Sequence, residues 1–417
     1  MRLTEEQQKI LDGGAGRILQ HAMSYLVKYG NAMAAEALIP ITSAHTIFKS
    51  LDEGAQVFSP PGALLTEKEV AEFGESLARL RVKVRTTLNI TYADLDKWRQ
   101  MGADEATYKS VLQGVEVAKK CGILPTCSCT PYLMYNIPQM GEHCSWSESS
   151  AFIYCNSILG ARSNRDCAEV SLASALLGFT PNFGMHIDEN RKGTLLIDVQ
   201  SEMDDPSDWG ALGYFSGERA GLGVPVFTNL RRPTVEEAKQ LSGGIGTSGA
   251  VSLFQIAGVT PEAPDVKAAF GKKEPKERYI FDELARMRTY ERLNRDPEGK
   301  VGMVCIGCPF CTFNEIIEVA RLMDGRRVAK DTRLWVLTDY TTRLMAEKHG
   351  YAQIIEAGGG ELIAGGCPQG FRTSVCRVER MATNSAKQAY YAAGELGSKM
   401  FFGNLTRCIE IAIKGGT

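Results

Sequence analysis

The stretch from Val301 to Gly366 constrains this chain more than any other, because apolar runs of strand length alternate there with segments of helical periodicity. VGMVCIG reads as a buried strand, TFNEIIEVARLMDG as a helix and RLWVLT as a strand. YTTRLMAEKHG reads as a second helix, YAQIIEAGG as a short connection and ELIAGG as a further strand. Alternation of this kind predicts a parallel sheet covered by helices, a doubly wound α/β domain. Ligands in such sheets sit beyond the carboxyl ends of the strands.

Cysteines stand at those ends. Cys308 follows VGMVCIG, with Pro309 expected in the first turn of the next helix, where the backbone favours a thiolate. Cys367 follows ELIAGG, and Cys129 follows GILPT ahead of Thr130-Pro131. Three cysteines far apart in sequence share one grammar of apolar strand, small residues, thiol and nearby proline. A three-thiolate site suits an iron–sulfur cluster with one open iron, a Lewis acid for a hydroxyl or carboxylate. Other readings stay open at this level. Cys305, Cys308 and Cys311 have ferredoxin-like spacing but no fourth neighbour, and zinc lacks a His-x-x-x-His pair. A redox pair of Cys305 and Cys308 is weaker still, and buried thiols commonly serve as small hydrophobes.

A chain of 417 residues is long for one core, so two or three domains are expected. The patterns place an α/β region at 1–125, a central region with substrate loops at 126–290 and the doubly wound domain at 291–417. Thr4 with Gln7 reads as a capping box, and Gly13, Gly14 and Gly16 interrupt the helix it opens. AEALIPITSAH is expected as a strand ending in a polar loop, RLRVKVRTTLN and GILPT as strands, and KSVLQGVEVAKKCG as a helix. WGALGYFSGERAG reads as β-like, GGIGTSG as a glycine-rich loop, and the polar stretch 261–299 as a domain connection. Net charge −2 and a pI near 6.3 leave no basic footprint for nucleic acid or anionic membrane. The N-terminus lacks the pattern of a secretory signal and no long apolar window occurs, which points to the cytoplasm and to reduced thiols among the twelve cysteines.

LTEEQQKILDGGAG, LIPITSAH, RTTLN, CTPY, WSESSAFIYCNSILGARSNRD, GFTPNFGMHIDENRKG, TSGAVSLFQIAGVTPEA, IGCPFCT and ATNSAKQAYY occur in order along nearly the whole chain. Together they resemble the aconitase X family. The resemblance implies an aconitase-like fold with several parallel-sheet αβα domains around a central cleft. It also implies iron–sulfur-dependent dehydration of a hydroxy acid, as in cis-3-hydroxy-L-proline and phosphomevalonate dehydratases, with Cys129, Cys308 and Cys367 as cluster ligands. Phe310 and Gln255 stand where histidine is expected, and GGCPQG lacks the expected acidic and threonine lead-in. The family also implies, for a chain ending at Thr417, a small swivelling-domain subunit as partner that closes the cleft and supplies a serine base.

Arg162 and Arg165 can grip a carboxylate or phosphate in bidentate fashion, or line a solvated helix face. Asn156 and Asn164 can hold hydroxyls or cap backbone. Glu148, beside Ser149, is a candidate acid or base and equally a helix N-terminal charge. His45, His186 and Arg191 read as loop residues until the resemblance moves them into the pocket, and Asn89 lies in the matched RTTLN segment. Ser248 sits in the expected anion-cradling loop, and Lys387 at a helix start favours an anionic ligand. The expectation is a hydro-lyase with Glu148, His45 and Lys387 as catalytic groups. cis-3-Hydroxy-L-proline is placed slightly ahead of phosphomevalonate, with a non-catalytic metal-stabilised scaffold as the rival.

Overall fold

The computed structural model describes residues 1–57, 65–271, 273–368 and 374–417. The chain divides into two compact units, Met1–Leu95 with Asp104–Lys192, and Asp96–Ala103 with Gly193–Thr417.

The first unit begins with α1 (Glu5–Leu11) and α2 (Arg17–Ala32). Thr4 and Gln7 close a reciprocal capping box, and Gly16 at φ 91° separates the two helices, a backbone state that glycine adopts without a Cβ clash. Then come β1 (Leu38–Pro40), β2 (Ser43–Thr46), α3 (Leu51–Val57), α4 (Glu67–Ala78), β3 (Arg85–Leu88) and α5 (Glu105–Cys121). β4 (Cys144–Trp146), α6 (Ser149–Ser157), α7 (Ala168–Leu177) and β5 (Phe179–Pro181) complete it. β2 pairs in parallel with β3 and β4 in the order β3-β2-β4, and β1 pairs antiparallel with β5. Met23 and Leu26 of α2 pack on Val170, Ala173 and Leu177 of α7, whose small and apolar residues leave almost no face for water. Two expectations are corrected here. The SAH segment is the buried strand β2, closed in by parallel partners on both sides, and GILPT contributes only an isolated bridge from Leu124 to Thr87.

In the second unit β6 (Leu195–Val199), α8 (Pro206–Ala220), β7 (Pro225–Thr228), α9 (Val235–Ser248) and β8 (Gln255–Ile256) lead to α10 (Val266–Phe270), β9 (Glu277–Phe281) and α11 (Glu283–Leu293). Their strands form a parallel sheet ordered β8-β7-β6-β9. WGALGYFSGERAG is therefore not β-like. It lies in α8, started by an Asp205–Asp208 capping box with Pro206 in the first turn. Its glycines serve helix packing, since a Cβ on Gly213 would lie 2.5 Å from the Leu241 carbonyl oxygen and one on Gly244 2.2 Å from that of Gly210. GGIGTSG is likewise the end of α9 and not a loop, its glycines matched to those of α8. The polar stretch 261–299 is no connector either, because β9 within it pairs with β6 along five residues.

The chain continues with β10 (Met303–Ile306), α12 (Phe313–Met323), β11 (Arg333–Thr338), α13 (Tyr340–Lys348), α14 (Tyr351–Ala357) and β12 (Gly360–Ala364). β13 (Arg380–Thr383), α15 (Ala386–Tyr391), β14 (Lys399–Phe402) and α16 (Leu405–Lys414) follow. YAQIIEA, expected as a connection, forms α14, with Ile355 buried against the core of β10, β11, α12 and α16. All five strands run parallel in the order β12-β11-β10-β13-β14. The doubly wound arrangement expected from the alternation is present, and its topological switch point lies between β10 and β13.

Candidate active site

In the first unit the candidate residues gather at the carboxyl edge of the three-stranded sheet. His45 is the third residue of β2, Asn89 follows β3, and Glu148 lies two residues beyond β4. The Asn89 amide donates to Glu148 Oε2 at 3.1 Å, while Glu148 Oε1 accepts from the Ser149 and Ser150 hydroxyls as the N-cap of α6. His45 Nδ1 meets Thr87 Oγ1 at 2.9 Å, and its ring is fully buried. Burial lowers its pKa to about 4, against the pull of the Glu148 charge and an Asn89 hydrogen bond. His45 is thus a buried, neutral ring within β2 and not the loop residue that the SAH text alone suggested. The Cys129 loop hangs from the end of the same β3: the Thr126 hydroxyl and the Ser128 N–H both donate to the Leu88 carbonyl, at 2.7 and 3.3 Å. Cys129 is buried and precedes a 3-10 turn at Pro131–Leu133.

A second group in this unit lies along 143–191. The Arg191 guanidinium, 2% exposed, donates to the carbonyls of Met185, Asn156 and Ala161 at 3.1 Å each. Asn156 and Ser163 exchange two bonds, of 2.7 and 2.8 Å, and Asn164 bonds the backbone of Phe183 and Met185. Arg162 pairs with Asp188 and donates to the His186 carbonyl. His186 lies 3.0 Å from His143, Nδ1 to Nδ1, and burial, with His143, Arg191 and Arg162 adding to it, lowers its pKa to about 3. These contacts organise backbone, the bland alternative weighed for the asparagines. Arg165 is exposed.

The second unit presents its own carboxyl edge. Cys308 lies two residues past β10, Cys367 three past β12, and Lys387 is the second residue of α15, just beyond β13. Both sides of the switch point are therefore populated. Burial raises the Cys305 pKa well above the ordinary thiol value, and Cys308, Cys367, Cys376 and Cys311 all lie close enough to raise it further. A Cβ on Gly243 of α9 would meet Pro309 Cδ at 3.3 Å and Lys387 Cβ at 3.7 Å, so Pro309 and Lys387 share that helix face. Ser248 is displaced from this group. It ends α9, about 7.5 Å further along the axis at 1.5 Å per residue, and its hydroxyl donates back to the Gly244 carbonyl at 3.2 Å.

One expectation about Cys308 is corrected. α12 begins at Phe313 with Thr312 as N-cap, so Pro309 belongs to the connecting loop and Cys308 is not at a helix N-terminus. The loop is instead held through its backbone. Cys311 donates its N–H to the Leu337 carbonyl at 2.8 Å and accepts from the Thr338 hydroxyl at 3.0 Å. Lys239, fully buried on α9, donates to the carbonyls of Pro309 at 3.2 Å and Phe310 at 2.9 Å and pairs with the Glu315 carboxylate. Burial works against that ammonium, and Glu315 with Cys311 overcomes it, leaving the pKa raised. Sequence reasoning missed Lys239, since VEEAKQL reads as an ordinary charged helix start. It also missed His143, the partner of His186.

The fit to a thiolate-held group rests on the chemistry of the donor set, since thiolates are the soft ligands that iron–sulfur clusters take. Cys129 and Cys308 are buried and Cys367 is partly exposed. Gly307, at φ 100°, has room for no side chain, because a Cβ would lie 2.3 Å from the Leu337 carbonyl oxygen and 3.0 Å from Cys311 Sγ. Among the described residues no three His, Cys, Asp or Glu side chains converge as a single-ion site. A surface cavity of about 740 Å³ lies at the opposite, amino-terminal end of the five-stranded sheet, lined in part by Lys300, Lys330 and Lys414, away from the strand ends that carry Cys308 and Cys367.

Models of the aconitase X first, second and third domains match residues 1–189, 193–291 and 301–414. The chain belongs to the aconitase X family. It is 36% identical to a phosphomevalonate dehydratase large subunit of Methanocaldococcus jannaschii, covering 98% of this chain and 100% of that one. It is 30% identical to a cis-3-hydroxy-L-proline dehydratase of Pseudomonas aeruginosa, over 99% of this chain and 70% of that protein. The crystal structure of Thermococcus kodakaraensis aconitase X in its holo-form superposes with a TM-score of 0.85 at 32% identity, covering 99% of this chain and all of that one. The aconitase-like α/β fold expected from the motifs is thereby established. Among the described residues no helix is long and apolar enough to cross a membrane.

Proposed function

We propose that this chain is the large subunit of a hydro-lyase that removes water from a small hydroxy acid, with Cys129, Cys308 and Cys367 holding an iron–sulfur cluster. The observation that carries the reading is the placement of Cys308 and Cys367 at the carboxyl edge of a doubly wound sheet, in a chain that all three aconitase X domain models match. When bound, such a cluster supplies a Lewis acid for the leaving hydroxyl. The chain's own residues do the rest. The Glu148 carboxylate, steadied by Asn89 and the α6 N-terminus, takes the proton from the carbon next to the one that loses its hydroxyl, in place of the serine base that the resemblance implies for the partner. The C–H electron pair becomes the new double bond as the C–O bond breaks, the C–O pair leaves with the hydroxyl oxygen, and the hydroxide takes up a proton and departs as water. Lys387 holds the anionic end of the substrate, and His45, buried and neutral, orients groups by hydrogen bonding without adding charge.

Two substrates are supported, each by relatives. cis-3-Hydroxy-L-proline remains the first to test, and phosphomevalonate has the support of relatives as long as this chain. A small swivelling subunit is the proposed partner, in keeping with relatives named as large subunits, and the cytoplasm is the proposed location. The test is anaerobic co-production with the candidate small subunit, followed by turnover of both substrates and iron and sulfide analysis. Water loss from either substrate, together with bound iron and sulfide, supports the reading. Zinc in place of iron, or no turnover of either substrate by an iron-loaded complex, sinks it and favours the scaffold alternative.

A further inference from the structure

The loop Gly307–Thr312 carries Cys308, yet its conformation is fixed by groups outside it. β11 holds Cys311 through the Leu337 carbonyl and the Thr338 hydroxyl. The carbonyls of Pro309 and Phe310, the two residues directly after Cys308, receive the Lys239 ammonium. That amine belongs to α9, an element of the neighbouring sheet layer, and it is fully buried. Its third bond goes to Glu315, whose carboxylate also accepts from the Thr312 N–H at 2.8 Å and so caps α12. A buried lysine is costly unless its donors are satisfied, and here all three run to one short loop and the helix that follows it.

We propose that Lys239 is a positioning residue for Cys308, setting the thiol's place by gripping the next two carbonyls, a role that goes beyond ion pairing with Glu315. The inference rests on the reading of Cys308 as a cluster ligand. Without the ammonium, two buried carbonyls lose their donor and turn to find another, and the peptide joining Cys308 to Pro309 turns with them. Cys308 then leaves the position that metal loading requires.

Lys239→Met alone would strand the Glu315 charge, so the decisive variant is Lys239→Met with Glu315→Gln, in which glutamine keeps the capping box. Glu315→Gln alone removes the carboxylate charge, and a Lys239 that gives up a proton in response still keeps two N–H donors for the two carbonyls. The full chain is purified without oxygen and loaded with ferrous iron and sulfide. Iron per chain, the electron paramagnetic spectrum and the rate of Cys308 alkylation by iodoacetamide in the metal-free chain are measured, with circular dichroism as the check on folding. The double variant is expected to bind at least about threefold less iron, with an altered spectrum, and to alkylate at Cys308 at least about fivefold faster, as a loosened loop opens more often. Glu315→Gln is expected to stay near wild type on all three.

Wild-type loading and alkylation in a folded double variant would overturn the proposal. So would equal losses in Glu315→Gln and the double variant, since the ion pair alone would then account for them. Full iron in Cys308→Ser would overturn the ligand reading and this inference with it, an outcome told apart because it does not involve Lys239.

Discussion

The carboxyl edges of the two parallel sheets carry candidate chemistry in different ways. In the first unit Glu148, Asn89, His45 and Thr87 bond one another through side chains, and the edge is a polar network in which Glu148 is half-buried and the other three are buried. In the second unit the Cys308 loop has its shape set through backbone groups, by Lys239, Leu337 and Thr338. A side-chain network can tune protonation, because each member changes its neighbours' charge balance. A backbone-held loop fixes position. The first edge is therefore expected to respond to charge and pH, and the second to geometry.

The strongest test of that difference is Cys308→Ser, which should lose iron and lower turnover about 1000-fold or more, as several kcal/mol of Lewis-acid stabilisation disappears. Metal analysis and steady-state rates check it. Next is Glu148→Gln, expected to lower kcat about 100-fold or more as the general base is lost. Iron content should stay unchanged and the unfolding midpoint nearly so, since glutamine still offers an oxygen to the α6 cap. If Glu148→Gln lost iron as well, the separation between the two edges would fail.

Smaller effects probe the supports. Gly244→Ala places a Cβ 2.2 Å from the Gly210 carbonyl oxygen and should destabilise the α8–α9 pair by about 1–3 kcal/mol, as overpacked cores do. Urea unfolding measures it, and an unchanged midpoint would show that the helices slide apart freely. The pH response of the first unit comes last. His45 and His186 have folded pKa values lowered to about 4 and 3, so stability present above their unfolded value is lost as pH falls from about 6.5 towards those values. Asp166, raised to about 7 by burial against the opposing Ser145 hydrogen bond, acts in the other sense: its contribution is present at low pH and is lost as pH rises through 7. Two histidines outweigh one aspartate, which gives a net loss on the order of 1–2 kcal/mol between pH 6.5 and 5. His186→Gln should flatten that slope in urea titrations, while a histidine-independent slope would place the acid sensitivity elsewhere.

Much of this was legible in the amino-acid order because local signals carried it. Thr4–Gln7 wrote its own cap, and the alternation after Val301 gave the doubly wound sheet because parallel strands buried on both faces must be apolar throughout. The strand-end positions of Cys308 and Cys367 followed from the same pattern. Elements whose local composition opposed their final state were misread. α8 and the end of α9 look like loop or strand text because each is rich in glycine, and they are helices only because those glycines let two backbones meet.

The sequence by itself determined the family and the strand ends, since each depends on neighbours within a few residues of one another. Tertiary structure alone decided which polar residues meet at those ends. Lys239 lies some 70 residues before the loop it grips, and His45 becomes a buried neutral ring only because β3 and β4 close on both sides of β2. Burial and long-range hydrogen bonds set both outcomes, and neither leaves a trace in local residue order.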